Sequence, residues 1–408
     1  MAANIRASLI IVALIFTQSV SAQKFEGLAK TPPMGWNSWN QYACNIDEKL
    51  IRATADAMVA NGMRDAGYTQ VNLDDCWHGD RDKDGSIQSD PIRFPSGIKA
   101  LADYIHARGM KIGIYSDAGT KTCAGRPGSQ GYEYQDARQY ARWGVDYVKY
   151  DWCNTGTGVD QRNPREAYRT MRDAIRAAGR PMILSICEWG DGKPWEWGKD
   201  IGHLWRTTGD IINCWDCTVS HGTWISSGIL PILDQQTKLL AASGPDHWND
   251  PDMMEVGNLP TLGENRAHFT MWVMLAAPLI VGTDVVNLKP EIRAILTDKD
   301  AIAVNQDVAG IQGFPWIKGS DVEIWAKPLA DKGWAIAVLN RSNSAQPTSI
   351  DWSRFELKDD QAARQGQFDK LNYTVVDLWE KSAVGDTTKP LTMTIGPRDA
   401  KLFRLTVK

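Results

Sequence analysis

The sequence predicts a (β/α)₈ barrel followed by a small antiparallel β-sandwich, and three observations carry that prediction. Strand-like and helix-like runs alternate eight times between residues 33 and 296, a length and order that suit the barrel. Acidic residues recur at the carboxyl ends of those strands, the end where such barrels do their chemistry. Beyond Gly310 the alternation stops, and short strands follow, separated by Gly, Asn, Asp and Pro. A doubly wound open sheet is the alternative, weakened because no glycine-rich phosphate loop follows the first strand.

The elements are read in order. Residues 1–22 have the form of a secretory signal, with Arg6 in a positive leader, an apolar run over 7–16 and Val20-Ser21-Ala22 as a small-residue cleavage site. That run is too short to span a bilayer, so the expected mature chain begins near Gln23, exported to the periplasm or the extracellular space. Residues 33–39 open the barrel, and Asp47 caps a helix to about residue 66. Strands at 69–74, 110–116, 145–151, 182–187, 203–206, 247–249 and 278–281 follow. The helices between and after them are expected at 98–108, 133–143, 165–178, a short Trp-rich stretch, about 224–242, 266–276 and 290–296. Strands at 322–326, 334–339, 348–352, 374–378, 391–395 and 401–405 make the sandwich. The expected division is therefore signal 1–22, barrel 23–310 and β-sandwich domain 311–408.

Composition excludes several classes of function. A net charge of −4 with no basic block argues against nucleic acid as a partner, and after signal cleavage nothing in the chain calls for a membrane. The six histidines show no ligand spacing, so neither a metal nor another cofactor is expected. Asp80, Asp82, Asp84 and Gly85 imitate a calcium loop, but Pro91 stands where its bidentate glutamate belongs, and a surface hairpin turn is the better reading. Asn340 and Asn372 are glycosylation acceptors in form.

The fourth strand concentrates the chemistry. Successive side chains alternate faces, so Tyr147, Lys149 and Asp151 share one side of it. A cation and a carboxylate on one buried face form either a satisfied ion pair or part of a polar cavity. What favours the cavity is the phase of the other acids. Asp74 and Asp75 end the second strand, Asp117 the third and Cys187-Glu188-Trp189 the fifth. Arg206 then Asp210 end the sixth, and Asp250 and Asp252 the seventh. Crowded carboxylates beside Trp36, Trp152, Trp189 and a lysine suit a carbohydrate: polar groups for hydroxyls, indoles for a ring face. Two carboxyls flanking a glycosidic bond are the usual equipment for its hydrolysis. Two other classes compete. Lys149 as a Schiff-base amine would make an aldolase, but Asp151 two residues away favours its charged form. A silent sugar-binding protein would not need both carboxylates.

Six motifs in sequence now become recognisable: Met34-Gly35-Trp36-Asn37-Ser38-Trp39, Asn72-Leu73-Asp74-Asp75-Cys76-Trp77, Gly113-Ile114-Tyr115-Ser116-Asp117, Tyr147 to Cys153, Trp205 to Ile211 and Trp248-Asn249-Asp250-Pro251-Asp252-Met253. Together they closely resemble the α-galactosidases (melibiases) of glycoside hydrolase family twenty-seven. The resemblance implies a retaining exo-α-galactosidase in which Asp151 is the nucleophile and Asp210 the acid and then the base. It implies sugar contacts from Trp36, Asp74, Asp75, Tyr115, Cys123, Lys149, Cys187, Trp189, Arg206, Asp252 and Met253. Bulky Trp189 at the 2-position should exclude an N-acetyl group, and Asp75 should favour galactose over the related arabinopyranoside. The resemblance further pairs Cys44 with Cys76 and Cys123 with Cys153, leaving Cys187 free. Cys214 and Cys217 depart from the family pattern and are read as a third, local disulfide or, less readily, a redox or zinc half-site. The expected partner is a carbohydrate ending in α-galactose, with the aglycone open among oligosaccharide, galactomannan and glycoconjugate.

Overall fold

The computed structural model describes residues 23–408, so the predicted signal segment 1–22 lies outside the described residues. Eight parallel strands form one sheet: β1 (Met34–Asn37), β2 (Gln70–Leu73), β3 (Lys111–Asp117), β4 (Tyr147–Asp151), β5 (Ile183–Ile186), β6 (Leu204–Arg206), β7 (Trp248–Asp250) and β8 (Leu279–Val281). Their spatial order is β7-β6-β5-β4-β3-β2-β1-β8, with sequential neighbours paired in register. Tight packing inside the sheet depends on Gly113, where an added Cβ would lie 2.0 Å from the Asn72 side-chain oxygen. The seam between β7 and β8 has no ladder among the described residues; a single parallel bridge, Met254 to Val281, closes it. There the Met254 N–H donates to the Ile280 carbonyl at 2.6 Å and the Gly282 N–H to the Met254 carbonyl at 2.9 Å.

The predicted helices mostly form where expected, for the expected reasons. Asp47 accepts the Leu50 N–H at 2.7 Å and starts the helix Glu48–Ala60, which stops at Asn61 and Gly62 instead of running on to 66. A separate turn, Met63–Ala66, takes the remainder. The expected helix over 224–242 is a correction. Ile225–Ser227 pairs antiparallel with Thr218–Ser220, Gly228 ends that hairpin, and the helix spans only Ile229–Gln236. Apolar Trp224 and Ile225, inside the expected helix, are exposed on the hairpin. The Trp-rich segment after β5 forms two short 3₁₀ turns, Pro194–Glu196 and Gly198–Asp200. The calcium-like segment is a hairpin turn in which Asp82 Oδ1 accepts the Asp84 and Ser86 N–H groups.

The C-terminal strands build the expected sandwich. A six-stranded antiparallel sheet runs in the order Phe314–Lys318, Val322–Pro328, Trp334–Asn340, Ala400–Val407, Tyr373–Asp377 and Ser382–Asp386. It shares a core with the pair Gln346–Ile350 and Leu391–Ile395, filled by Trp334, Ile336, Ile350, Trp352 and Phe403. The strands missed in sequence are edge or short ones. Phe314–Lys318 carries Pro315, and Ser382–Asp386 is almost wholly exposed, so neither shows a buried pattern. Asn340 is fully buried and its amide donates to the Ser344 and Gly396 carbonyls, so this acceptor site is closed by the fold.

The helix Leu262–Met274 lies between barrel and sandwich, opened by a capping box in which Thr261 and Glu264 exchange hydrogen bonds. It is buried nearly all round, which explains its lack of an amphipathic period. Lys327 from the sandwich sits fully buried against it, its Nζ donating to the Val273 carbonyl at 3.3 Å. Burial drives this amine down to about 7, against the raising effect of Asp307. The charged form is therefore disfavoured in the folded state: the penalty is complete below pH 7 and disappears as pH rises through the ordinary lysine range, where the unfolded chain also loses the proton. Lys327→Met is expected to stabilise the protein at pH 6 by on the order of a few kcal/mol and by much less at pH 10. Chemical denaturation at both pH values checks this, and a variant less stable at pH 6 refutes it.

Candidate active site

The loops leaving the carboxyl ends of the strands surround one pocket with about 400 Å³ of empty space. Asp74, Asp75, Tyr115, Cys123, Lys149, Asp151, Trp189, Arg206, Asp210, Asp252 and Met253 all line it. Of the catalytic and sugar-contacting residues that the resemblance implies, only Trp36 and Cys187 are not in the lining. Trp36 is fully buried and its indole N–H donates to the Thr283 carbonyl at 2.9 Å. Cys187 is a buried free thiol, with a guanidinium nitrogen of Arg206 3.8 Å from its Sγ. Trp39 and Asn40 also line the pocket and were not singled out as site residues. They sit one turn beyond β1, on the short helix Trp39–Tyr42, and Trp39 closes the first of the motifs. Trp152, taken as a candidate ring platform, stacks on Tyr168 outside the pocket, ring centroids 5.7 Å apart.

Not every acid in phase with the strands reaches the pocket. Asp117 is fully buried and accepts the Gly119 N–H at 2.7 Å and the Cys153 N–H at 3.0 Å. Asp250 accepts the Asp252 N–H at 2.9 Å, and Glu188 takes the Gly192 N–H. These three tie down loop amides. The five that line the pocket are Asp74, Asp75, Asp151, Asp210 and Asp252.

Two cations organise them. Lys149 Nζ donates to Asp74 Oδ2 at 2.9 Å, and Asn37 donates to the same oxygen at 2.7 Å. Burial works against the lysine's ammonium, but Asp74, Cys187 and Asp151 together outweigh it and hold the group charged. That opposes the depressed amine a Schiff base requires. Arg206 Nη2 reaches Asp210 Oδ1 at 3.0 Å and Asp252 Oδ2 at 2.7 Å. Asp252 also accepts the Ile211 and Met253 N–H groups, at 2.8 and 2.7 Å. Asp75 accepts the Cys76 and Ala124 N–H groups, at 2.6 and 2.9 Å.

Asp151 is served differently. Its Oδ1 accepts the Trp152 N–H at 3.0 Å, and no cation among the described residues is hydrogen-bonded to it. Burial pushes its carboxyl up to about 6; Lys149 opposes the rise, and the Asp210 and Asp74 carboxylates add to it. Asp210, in contrast, keeps 40% of its side chain exposed at the pocket's edge. One carboxyl is thus deep and poorly compensated, the other reachable by solvent: two environments suited to two roles.

Disulfides frame the rim. Cys44 joins Cys76, Cys123 joins Cys153, and Cys214 joins Cys217, with Cα atoms 5.2, 5.1 and 6.1 Å apart. The third settles the Cys214/Cys217 alternatives as a local disulfide. The Asp117, Cys123 and Cys153 ligand atoms lie close together, but both sulfurs are in a disulfide.

Residues 31–307 match the family described as alpha galactosidase A, and residues 319–405 match the alpha galactosidase C-terminal beta sandwich domain. An alpha-galactosidase A of Cellvibrio japonicus is 56% identical over 396 residues, covering 97% of this chain and 97% of that protein. The crystal structure of alpha-galactosidase I from Mortierella vinacea superimposes with a TM-score of 0.86 at 34% identity, covering 93% of this chain and 98% of the other. The structure of the Saccharomyces cerevisiae alpha-galactosidase with raffinose does so with a TM-score of 0.85 at 29% identity, covering 94% and 99%.

The electrostatic account of Asp151 is open to direct measurement. Its carboxyl carbon is expected to titrate near pH 6 by NMR, and higher in Lys149→Met, because the lysine lowers the value. Titration in the ordinary aspartate range of about 4 would refute the account.

Proposed function

The chain belongs to the α-galactosidase (melibiase) family, and from that membership we propose that it cleaves terminal α-galactosyl residues by double displacement, with Asp151 as nucleophile and Asp210 as acid and base. The observation that carries the assignment is the opening of both carboxyls onto one pocket in opposite settings, Asp151 buried and Asp210 at the edge. An Asp151 oxygen attacks the anomeric carbon while the bond to the leaving oxygen breaks, and Asp210 delivers its proton to that oxygen. Asp210, now a base, takes a proton from water as the water attacks the anomeric carbon, which releases galactose with its configuration retained and frees Asp151.

The remaining pocket groups bind and orient the sugar. The Asp74–Asp75 pair and Lys149 suit the axial 4-hydroxyl and the 6-hydroxyl of galactose, the carboxylates accepting from a hydroxyl and the ammonium donating to one. Arg206 holds Asp210 and Asp252 in place through a charge-assisted fork. Trp189 lines the pocket with Arg206, and its bulk is proposed to exclude an N-acetyl group at the sugar's 2-position. Signal 1–22, catalytic part 23–310 and C-terminal part 311–408 remain the proposed division, with export to an oxidising periplasmic or extracellular compartment. Three disulfides support the oxidising compartment, and no helix among the described residues is long and apolar enough to cross a membrane. The proposed substrates are galacto-oligosaccharides, galactomannan or glycoconjugates that end in α-galactose.

Asp151→Asn is expected to lower kcat on an aryl α-galactoside by about 10³-fold or more, some 4 kcal/mol of barrel-mouth chemistry. Near wild-type turnover in that variant ends the assignment. NMR of the wild-type reaction should show α-galactose forming first, and β-galactose as the first product rules out double displacement. Trp189 predicts a preference for the galactoside over the N-acetylgalactosaminide of about tenfold or more in kcat/KM, and parity between the two refutes its role.

A further inference from the structure

Among the described residues the Asp210 carboxylate has one hydrogen-bond partner, Arg206, and 40% of its side chain stays exposed. Its aim therefore depends on where the backbone places it. That backbone lies along one strand of the hairpin, Ile225–Ser227. The Ser227 N–H donates to the Asp210 carbonyl at 2.9 Å, Ile211 forms a parallel bridge with Ser227, and the Ile212 N–H donates to the Ser227 carbonyl at 3.0 Å. The approach is close: a Cβ added at Gly209 would lie 2.4 Å from the Ile225 carbonyl oxygen.

The strand needs an anchor of its own, because its hairpin partner Thr218–Ser220 is wholly exposed. The loop between Asp210 and that partner supplies one. Cys214, Trp215 and Cys217 offer their carbonyls to the Ile229, Leu230 and Gly228 N–H groups, at 2.9, 2.9 and 2.8 Å, just where the strand ends and the helix Ile229–Gln236 begins. The Cys214 N–H donates back to the Ile212 carbonyl at 2.7 Å.

The Cys214–Cys217 disulfide closes this loop across a sequence separation of 3, against 32 and 30 for the other two. So short a closure restricts the unfolded chain least, and its effect is on local shape. Trp215, enclosed by the bridge, is buried, and its indole donates to the Arg341 carbonyl of the sandwich at 3.0 Å. The Arg341 guanidinium in turn reaches Asp234 on the helix at 2.7 Å and Glu323 in the sandwich at 3.0 Å.

Resting on the hydrolase reading above, we propose that the Cys214–Cys217 bridge and the Trp215 it encloses form a positioning element for Asp210. They pin the strand Ile225–Ser227 to the sandwich and so hold the acid in line with the oxygen it protonates. The C-terminal domain thereby supports proton transfer, although none of its residues lines the pocket. Asp151, carried on β4, is outside this chain of contacts.

The test separates proton transfer from nucleophilic attack. Methyl α-galactoside leaves as an alcohol and needs the Asp210 proton, whereas dinitrophenyl α-galactoside leaves as a stabilised phenolate and does not. In the double variant Cys214→Ser, Cys217→Ser, kcat/KM for the methyl glycoside is expected to fall about tenfold or more relative to that for the dinitrophenyl glycoside. Trp215→Phe, which keeps an aromatic ring and loses the indole N–H, is expected to move the ratio the same way by about threefold. Loss of folded protein lowers both rates and cancels in the ratio. A ratio unmoved in the double variant, or in Trp215→Phe should the double variant not fold, overturns the positioning element alone. So does a thiol titration of the unfolded, unreduced wild type that finds Cys214 and Cys217 free beside Cys187. A wild type that hydrolyses neither substrate overturns the hydrolase reading and the positioning element with it.

Discussion

Five carboxylates and two cations share the mouth of this barrel: Asp74, Asp75, Asp151, Asp210 and Asp252 against Lys149 and Arg206. Like charges in a low-dielectric site resist ionising together, so each acid needs a partner or surrenders its charge. The chain meets most of that need with backbone N–H groups. Asp75 and Asp252 each take two amides, Asp74 takes Lys149 and Asn37, and Asp210 takes Arg206. Asp151 receives one amide and no direct cation among the described residues, and burial leaves its carboxylate short of compensation. An anion left in that condition gains most by bonding to an electron-poor carbon, which is the task a glycosidase nucleophile performs.

Delivering so many amides to one place bends the backbone. Cys76, Asn154, Trp189 and Asp252 all hold positive φ, at 77°, 53°, 59° and 90°, each just beyond the end of a barrel strand. Such conformations cost non-glycine residues about 1–3 kcal/mol apiece and persist only where neighbours enforce them. The enforcement is visible at each position. Cys76 is bonded to Cys44, and Asn154 follows Cys153, which is bonded to Cys123. The turn at Trp189 is closed by Glu188 on the Gly192 amide, and Asp250 holds the Asp252 N–H. The rim disulfides and the non-lining acids thus have one purpose, to keep strained loops aimed.

That division of labour explains what the sequence could and could not reveal. The barrel was legible because each strand carries its own period and each helix its own stop, as Gly109, Gly144 and Gly179 do with left-handed φ. The rim was legible because acids fall in phase with strand ends. Phase alone does not separate Asp117, Glu188 and Asp250, which hold amides, from the five that line the pocket, since both kinds must sit at the same end. Trp39 and Asn40 were missed for the opposite reason: they reach the pocket from a helical turn beyond β1, where strand alternation no longer applies. Reading 224–242 as one helix failed because its first residues pair across a hairpin with 218–220 and Gly228 separates that strand from the helix.

The seam between β7 and β8 shows why the sandwich is attached where it is. One bridge at Met254 closes the barrel there, and the residues spanning the gap, Asp252 and Met253, are also pocket residues. A loosely closed seam would let both drift. The helix Leu262–Met274 backs the gap, with the Trp272 indole donating to the Asp252 carbonyl at 2.9 Å. That helix is in turn gripped by the sandwich, through Arg266 on Asp399, Arg398 on Glu264 and the Trp379 indole on Thr270. The C-terminal domain touches no substrate pocket residue directly in this chain of contacts. One route of its contribution runs through this buried helix, which backs the β7–β8 seam behind Asp252.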